Sequence, residues 1–276
     1  MRKPGIFFNA VFTIVIVMVA IAVIFPFFWM VRSSLMSNIE INTYPPILLP
    51  RWRFGNYPNT LSVFPFGRYL LNTLTITLPS LAGVLITSSL AAYTFARLNF
   101  PLKRFWFTMV ISSMLMPVSV TIIPIFIMWS SIGLVNSYIP LIVPGFLGGG
   151  AINIFLIRQF MLTIPKEMDE AALMDGANHL QILYYVILPL IQPVLITVGL
   201  FTFILYWNDI LGPLIYISSN DMNTISQALA NFKSGFGVDW KAIMAASTMS
   251  IIPSVVLYFI GQRYFLEGIV LSGLKG

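Results

Sequence analysis

Four of the nine acidic residues, Glu167, Asp169, Glu170 and Asp175, crowd into IPKEMDEAALMDGANHLQ, which begins at Ile164. Carboxylates so grouped could receive a basic partner through charge-assisted hydrogen bonds. Pro165 suits a first helical turn, where no amide partner is lost, and Glu167, Asp169 and Glu170 favour the positive end of a helix dipole. The spacing therefore predicts a short polar helix, turned at Gly176. A second helix is expected from Asn178, with Leu180, Leu183, Tyr184 and Ile187 as an apolar stripe suited to a bilayer or to neighbouring helices. Ala171, Ala172, Gly176 and Ala177 are small enough for another surface to approach the backbone closely. The same residues would also suit a solvated loop with ordinary helix-start acids.

Other chemistry is sparse. One histidine and no cysteine exclude thiolate catalysis, disulfide frameworks and paired-histidine metal sites. There is no Gly-Lys dipeptide, so the chain carries no phosphate-cradling P-loop. His179, just past the turn, reads as a solvated or backbone-bonded imidazole.

The elements that must position the acidic stretch are membrane helices. At 58% hydrophobic and 9% charged, with mean hydropathy +0.89, the 276 residues are too apolar for a soluble globule and too many for one anchor. The net charge is +6, but Lys and Arg are scattered at the flanks of apolar runs and form no nucleic-acid patch. The first apolar run imitates a signal peptide, yet it stays uncharged from Pro4 to Met30, so a retained span is expected near Val11 to Val31. A Pro- and Asn-rich loop follows from Ser33 to Arg68, and then a second span between Tyr69 and Ala96. The uncharged run from Phe105 to Ile157 is too long for one crossing. Ser130, Ser131, Gly133, Asn136 and Ser137 divide it into spans near Trp106 to Trp129 and Tyr138 to Ile157. The fifth is expected from Val186 to Trp207 and the sixth from Ala242 to Gly261, with a tail from Gln262.

Six spans put both termini on one side. With that side cytoplasmic, nine basic residues lie inside and six outside, although the first hairpin alone points the other way. No span interior carries an ionisable group, which disfavours a proton- or sodium-coupled secondary carrier. Asp209, at the outer end of the fifth span, is either a helix-end carboxylate at the water interface or, with Asn208, a polar contact on a translocation path. Gly145 and Gly149 form a GxxxG that serves close helix packing or a bend.

EAALMDGA, followed by Ile187, Leu188, Pro189 and Pro193, resembles the EAA loop of the permease subunits of bacterial ABC importers. WNDILGPLIYI (Trp207 to Ile217), DWKAIMAAS (Asp239 to Ser247) and QRYFLEGIVLSGLKG (Gln262 to Gly276) resemble the carbohydrate, maltose-type branch. The resemblance covers the chain from about Tyr69 onwards and implies an all-α polytopic membrane protein with the type I ABC importer permease fold. It implies three regions: residues 1–68 as first helix and outer loop, 69–262 as transmembrane domain, and 263–276 as cytoplasmic tail. It places the chain in the bacterial inner membrane and makes it no enzyme. ATP and Mg would sit on a cytoplasmic ATP-binding subunit dimer, a second related permease would complete the pore, and a periplasmic or lipid-anchored solute-binding protein would deliver substrate. Glu170, Ala171, Ala172, Asp175 and Gly176 would couple to the ATPase, with Pro189 anchoring a lever. The substrate expected is a sugar or oligosaccharide; a polyol or glycerol phosphate is the alternative.

Overall fold

The computed structural model describes residues 6–48, 51–232 and 239–273, with side chains described for 11–48, 51–232 and 239–263. Every regular element among the described residues is helical. Four segments are long and apolar enough to cross a membrane: Val11–Ser34, Phe66–Arg97, Ile139–Met161 and Trp240–Arg263. Two bent helix pairs bring the number to six if each is one span. In lipid a helix satisfies its own backbone without water, and the described residues use no other regular element.

The chain divides into two compact units, residues 1–66 with 231–252 and residues 67–230 with 253–276. In the first, α1 (Ile6–Ser34) leads to a four-residue helix, α2 (Asn38–Ile41), and to α3 (Asn56–Val63). The hydropathy window of α1 buries nothing within this chain. Its C-terminal end is tied down by polar contacts: Arg32 lies over the Trp29 ring at 4.1 Å and donates to the Ile47 carbonyl. Asn56 donates to the Ser34 and Met36 carbonyls at 2.8 Å each. The polar stretch after Ser33 is thus a folded cap and not a plain loop.

The second unit holds α4 (Phe66–Arg97), α5 (Lys103–Ser112), α6 (Val118–Ser131), α7 (Ile139–Phe146) and α8 (Ala151–Met161). After them come α9 (Glu167–Met174), α10 (His179–Leu190), α11 (Gln192–Trp207), α12 (Leu211–Tyr216) and α13 (Ile225–Ala230). The last helix, α14, runs from Trp240 to Gly273, so the sequence from Gln262 read as a tail continues the helix, and residues 274–276 lie outside the described residues.

Three spans depart from the straight rods expected. The third bends by 100° between Leu115 and Val118, because Met116 before Pro117 is pushed into extended backbone (φ −80°, ψ 116°). The fourth is interrupted after Phe146, where Gly148, Gly149 and Gly150 all have positive φ. The fifth bends by 81° at Ile191, so its first half is α10 and its remainder α11. The break between the third and fourth lies where the sequence placed it, with Gly133 and Asn136 at positive φ.

The glycines of the fourth span do serve close packing. A Cβ on Gly145 would lie 2.8 Å from the Ser80 carbonyl oxygen, and one on Gly149 would lie 2.6 Å from that of Val84. The approach lets Thr87 donate to the Gly145 carbonyl at 3.1 Å across the two helices. Gly149→Ala adds this clash to left-handed strain, so it should cost about 2–4 kcal/mol, against about 1–2 kcal/mol for Gly133→Ala, whose Cβ would meet nothing within 4 Å. Thermal unfolding of the detergent-purified protein checks this; equal shifts would refute the packing role.

Candidate functional site

The site is the helix pair α9–α10 and the helices that hold it. Gly176 sits at φ +85° directly after α9, its N–H on the Leu173 carbonyl at 3.0 Å and the Ala177 N–H on that of Ala172 at 3.0 Å. This double closure is a Schellman turn, and it requires a residue without Cβ strain at its left-handed position. Two residues on, Asn178 caps α10: its side chain accepts from the Gln181 N–H at 3.0 Å, while Gln181 accepts from the Asn178 N–H at 2.8 Å.

α10 is not a plain α-helix, since residues Ile182–Ile187 form a π-helical stretch. Pro189 explains it: the ring cannot donate to the Tyr185 carbonyl and would clash with it, so the preceding turn widens. The widening moves the buried face by about one residue. Ile182, Leu183 and Ile187 are buried, whereas Leu180 (69% exposed) and Tyr184 (64%) point outwards. Half of the expected stripe therefore faces away from the protein core. Pro193 then falls in the first turn of α11, where a missing N–H is harmless.

The inward faces meet in one apolar cluster. Ala92, Tyr93 and Ala96 come from α4 and Ile154, Ile157 and Met161 from α8. α10 and the start of α11 supply the rest, with Ala172 and Ala177 packed against the cluster's edge. At the end of α4 the contact turns ionic. Arg97 Nε lies 3.0 Å from Asp169 Oδ2, their side chains 3% and 13% exposed, and Arg97 Nη2 also donates to the Ile164 carbonyl at 3.0 Å. Burial pushes the Asp169 carboxyl above the ordinary carboxylate value, and the Arg97 charge offsets only part of that. One turn earlier, the Tyr93 hydroxyl lies 3.4 Å from His179 Nδ1, so the exposed imidazole rests on a side-chain hydroxyl. α4 thus touches both members of the pair.

Of the residues singled out in the sequence, Glu170, Ala171, Asp175 and Gly176 lie on the exposed side, while Ala172 turns inward and is not part of the outward surface. Outward with the acids come apolar residues that the sequence did not mark: Met174 at 89% exposed, Leu173 and Met168. The signal available was apolar residues on a helix whose polar face already accounted for its acids. Asn208 and Asp209 lie elsewhere. Asn208 is exposed and donates to the Ile204 carbonyl at 2.9 Å; Asp209 is half-buried and accepts from the Gly212 N–H at 3.1 Å, capping α12.

Residues 83–270 match the binding-protein-dependent transport system inner membrane component family, and the chain belongs to it. It is 32% identical to the sn-glycerol-3-phosphate transport system permease protein UgpE of Pectobacterium atrosepticum, over 94% of this chain and 95% of that one. It is 28% identical to the arabinooligosaccharides transport system permease protein AraQ of Halalkalibacterium halodurans, over 100% and 99%. The diacetylchitobiose uptake system permease protein NgcG of Streptomyces coelicolor is 29% identical over 93% and 85%. The fold is that of a chain in the crystal structure of a bacterial ABC transporter importing the acidic polysaccharide alginate (TM-score 0.84, 24% identity, 96% of this chain and 100% of that one).

The ion pair can be tested by a double-mutant cycle. Arg97→Gln and Asp169→Asn should each speed hydrogen exchange in α9 by roughly thirtyfold, about 2 kcal/mol of local stability, and the double variant by less than the product. Exchange in α9 unchanged by either single substitution would show that the pair holds nothing.

Proposed function

We propose that this permease is a subunit of an ATP-driven importer and that α9 and α10 are the handle by which a separate ATPase moves it. The observation that carries this is the outward face of α9: Met174, Leu173 and Met168 exposed beside Glu170 and Asp175, on a helix ionically fixed to α4. Exposed apolar groups rimmed by charge suit a protein partner better than water. The partner is a cytoplasmic ATP-binding subunit dimer carrying ATP and Mg, its basic groups paired with Glu170 and Asp175 and its surface laid against Ala171. Gly176 holds the turn between the two helices. Closure of the dimer pulls α9; Arg97 passes the pull to α4, and the continuous path through α10 passes it to α11, rocking the spans between two arrangements.

A second, related permease completes the path, and a periplasmic or lipid-anchored solute-binding protein supplies the solute. Both termini are cytoplasmic, the membrane is the bacterial inner membrane, and Asn208 and Asp209 face the translocation path. The solute class is a sugar or oligosaccharide, supported by relatives named for chitobiose and arabinooligosaccharide uptake. Glycerol phosphate is the second possibility, supported by the relative named for it.

In the reconstituted complex, Glu170→Lys and Gly176→Pro should leave insertion unchanged and lower substrate-stimulated ATP hydrolysis by about tenfold or more. One reverses a charge-assisted contact; the other puts a ring fixed near φ −65° where +85° is needed. Wild-type stimulation in both would contradict the handle. A periplasm-specific reporter active when fused after Asp175 would contradict its orientation.

A further inference from the structure

Where α4, α5 and α8 meet, beside the handle, two cations, Arg158 and Lys103, stand without an ion-pairing acid among the described residues. Arg158, near the end of α8, donates from Nε to the Phe95 carbonyl at 3.1 Å, and its guanidinium lies 4.1 Å from the centre of the Phe107 ring. Lys103, the first residue of α5, donates to the Leu98 carbonyl at 2.7 Å. The charge of Arg158 also acts on Lys103. Among the described residues neither of the two makes an ion pair with a carboxylate. The two carbonyl contacts cap the end of α4, which accounts for one donor of each side chain and leaves the remaining N–H groups of Arg158 and Lys103 free for a ligand.

The surroundings are those of a membrane edge. Phe95 packs on Phe107 and Phe100, with ring centroids 5.4 and 5.8 Å apart, beneath the cations. Phe105 and Trp106, edge to face at 5.3 Å, stand about half exposed at the same end of α5, as aromatic residues do at headgroup level. A soluble anion or an acidic protein surface has no use for that apolar border. An amphiphile with an anionic head does.

We infer that Arg158 and Lys103 form a binding site for the phosphate of an anionic phospholipid in the leaflet on the handle's side of the membrane. The site rests on the membrane placement of these helices and, for the identity of the leaflet, on the orientation proposed above. A lipid held there bridges the ends of α4, α5 and α8 next to Asp169 and Arg97. It supplies a countercharge to Arg158 and Lys103 and links the bundle's edge to the lipid composition around it.

The test uses the intact purified complex in nanodiscs of phosphatidylcholine with and without phosphatidylglycerol, reading lipid retention after delipidation by native mass spectrometry. Preferential retention of phosphatidylglycerol, unaffected by inorganic phosphate, is expected. Arg158→Gln and Lys103→Gln should each weaken it about fivefold, and Arg158→Lys should weaken it less. Arg104→Gln, at an exposed neighbour on the same helix, should leave it unchanged. Equal retention of both lipids, equal loss in Arg104→Gln, displacement by phosphate, or cross-linking of Lys103 to the ATPase in place of lipid would each overturn the site. Retention is read whichever leaflet is involved, so a periplasmic reporter signal after Asp175 together with these variant effects would remove the orientation and keep the site.

Discussion

A polar helix lying on a bundle of apolar spans slides unless something other than the hydrophobic effect fixes it. Here that fixture is the pairing of Arg97 with Asp169, two charges largely removed from water and held 3.0 Å apart. Such a pair adds little net stability over a well-packed apolar substitute, because desolvation consumes most of the attraction. What it adds is position: at the last residue of α4 the Arg97 guanidinium donates to the Ile164 carbonyl and stands 3.0 Å from one carboxylate oxygen on α9. The register of the handle against the membrane helices follows from that geometry.

α4 is the member common to every joint in this part of the chain. Its middle meets α7 and the turn after it across Gly145 and Gly149, at a distance that admits no Cβ, and its C-terminal part contributes Tyr93 and Ala96 to the apolar cluster. A displacement entering at α9 therefore reaches α4 by an ionic contact and reaches α11 by covalent continuity through a widened helical turn. Both routes end on helices already packed together, so the motion they can carry is a rigid-body one.

Much of this was legible in the residues. Uncharged runs located the spans because a charge in hydrocarbon is costly, and Gly176 announced its turn because no other residue tolerates that φ without strain. The bends were not. Pro117 sits in the middle of a run that hydropathy treats as continuous, and its effect on Met116 is steric, which hydropathy does not measure. The stripe on α10 was read with a period of 3.6 residues, and the π turn forced by Pro189 shifted it. The clamp was invisible for another reason: Arg97 and Asp169 both look like ordinary flanking charges, and nothing local in the sequence pairs them. Exposed Met174 was missed because a methionine in so apolar a chain draws no attention.

The apolar cluster beneath the handle also says something about the order of assembly. Among the described residues all its buried members lie between Ala92 and Val198, and none comes from α14. Domains fold in the order in which synthesis delivers them. The seat of α9 can therefore close while the final helix is still being made, and the nascent chain can present α9 already braced.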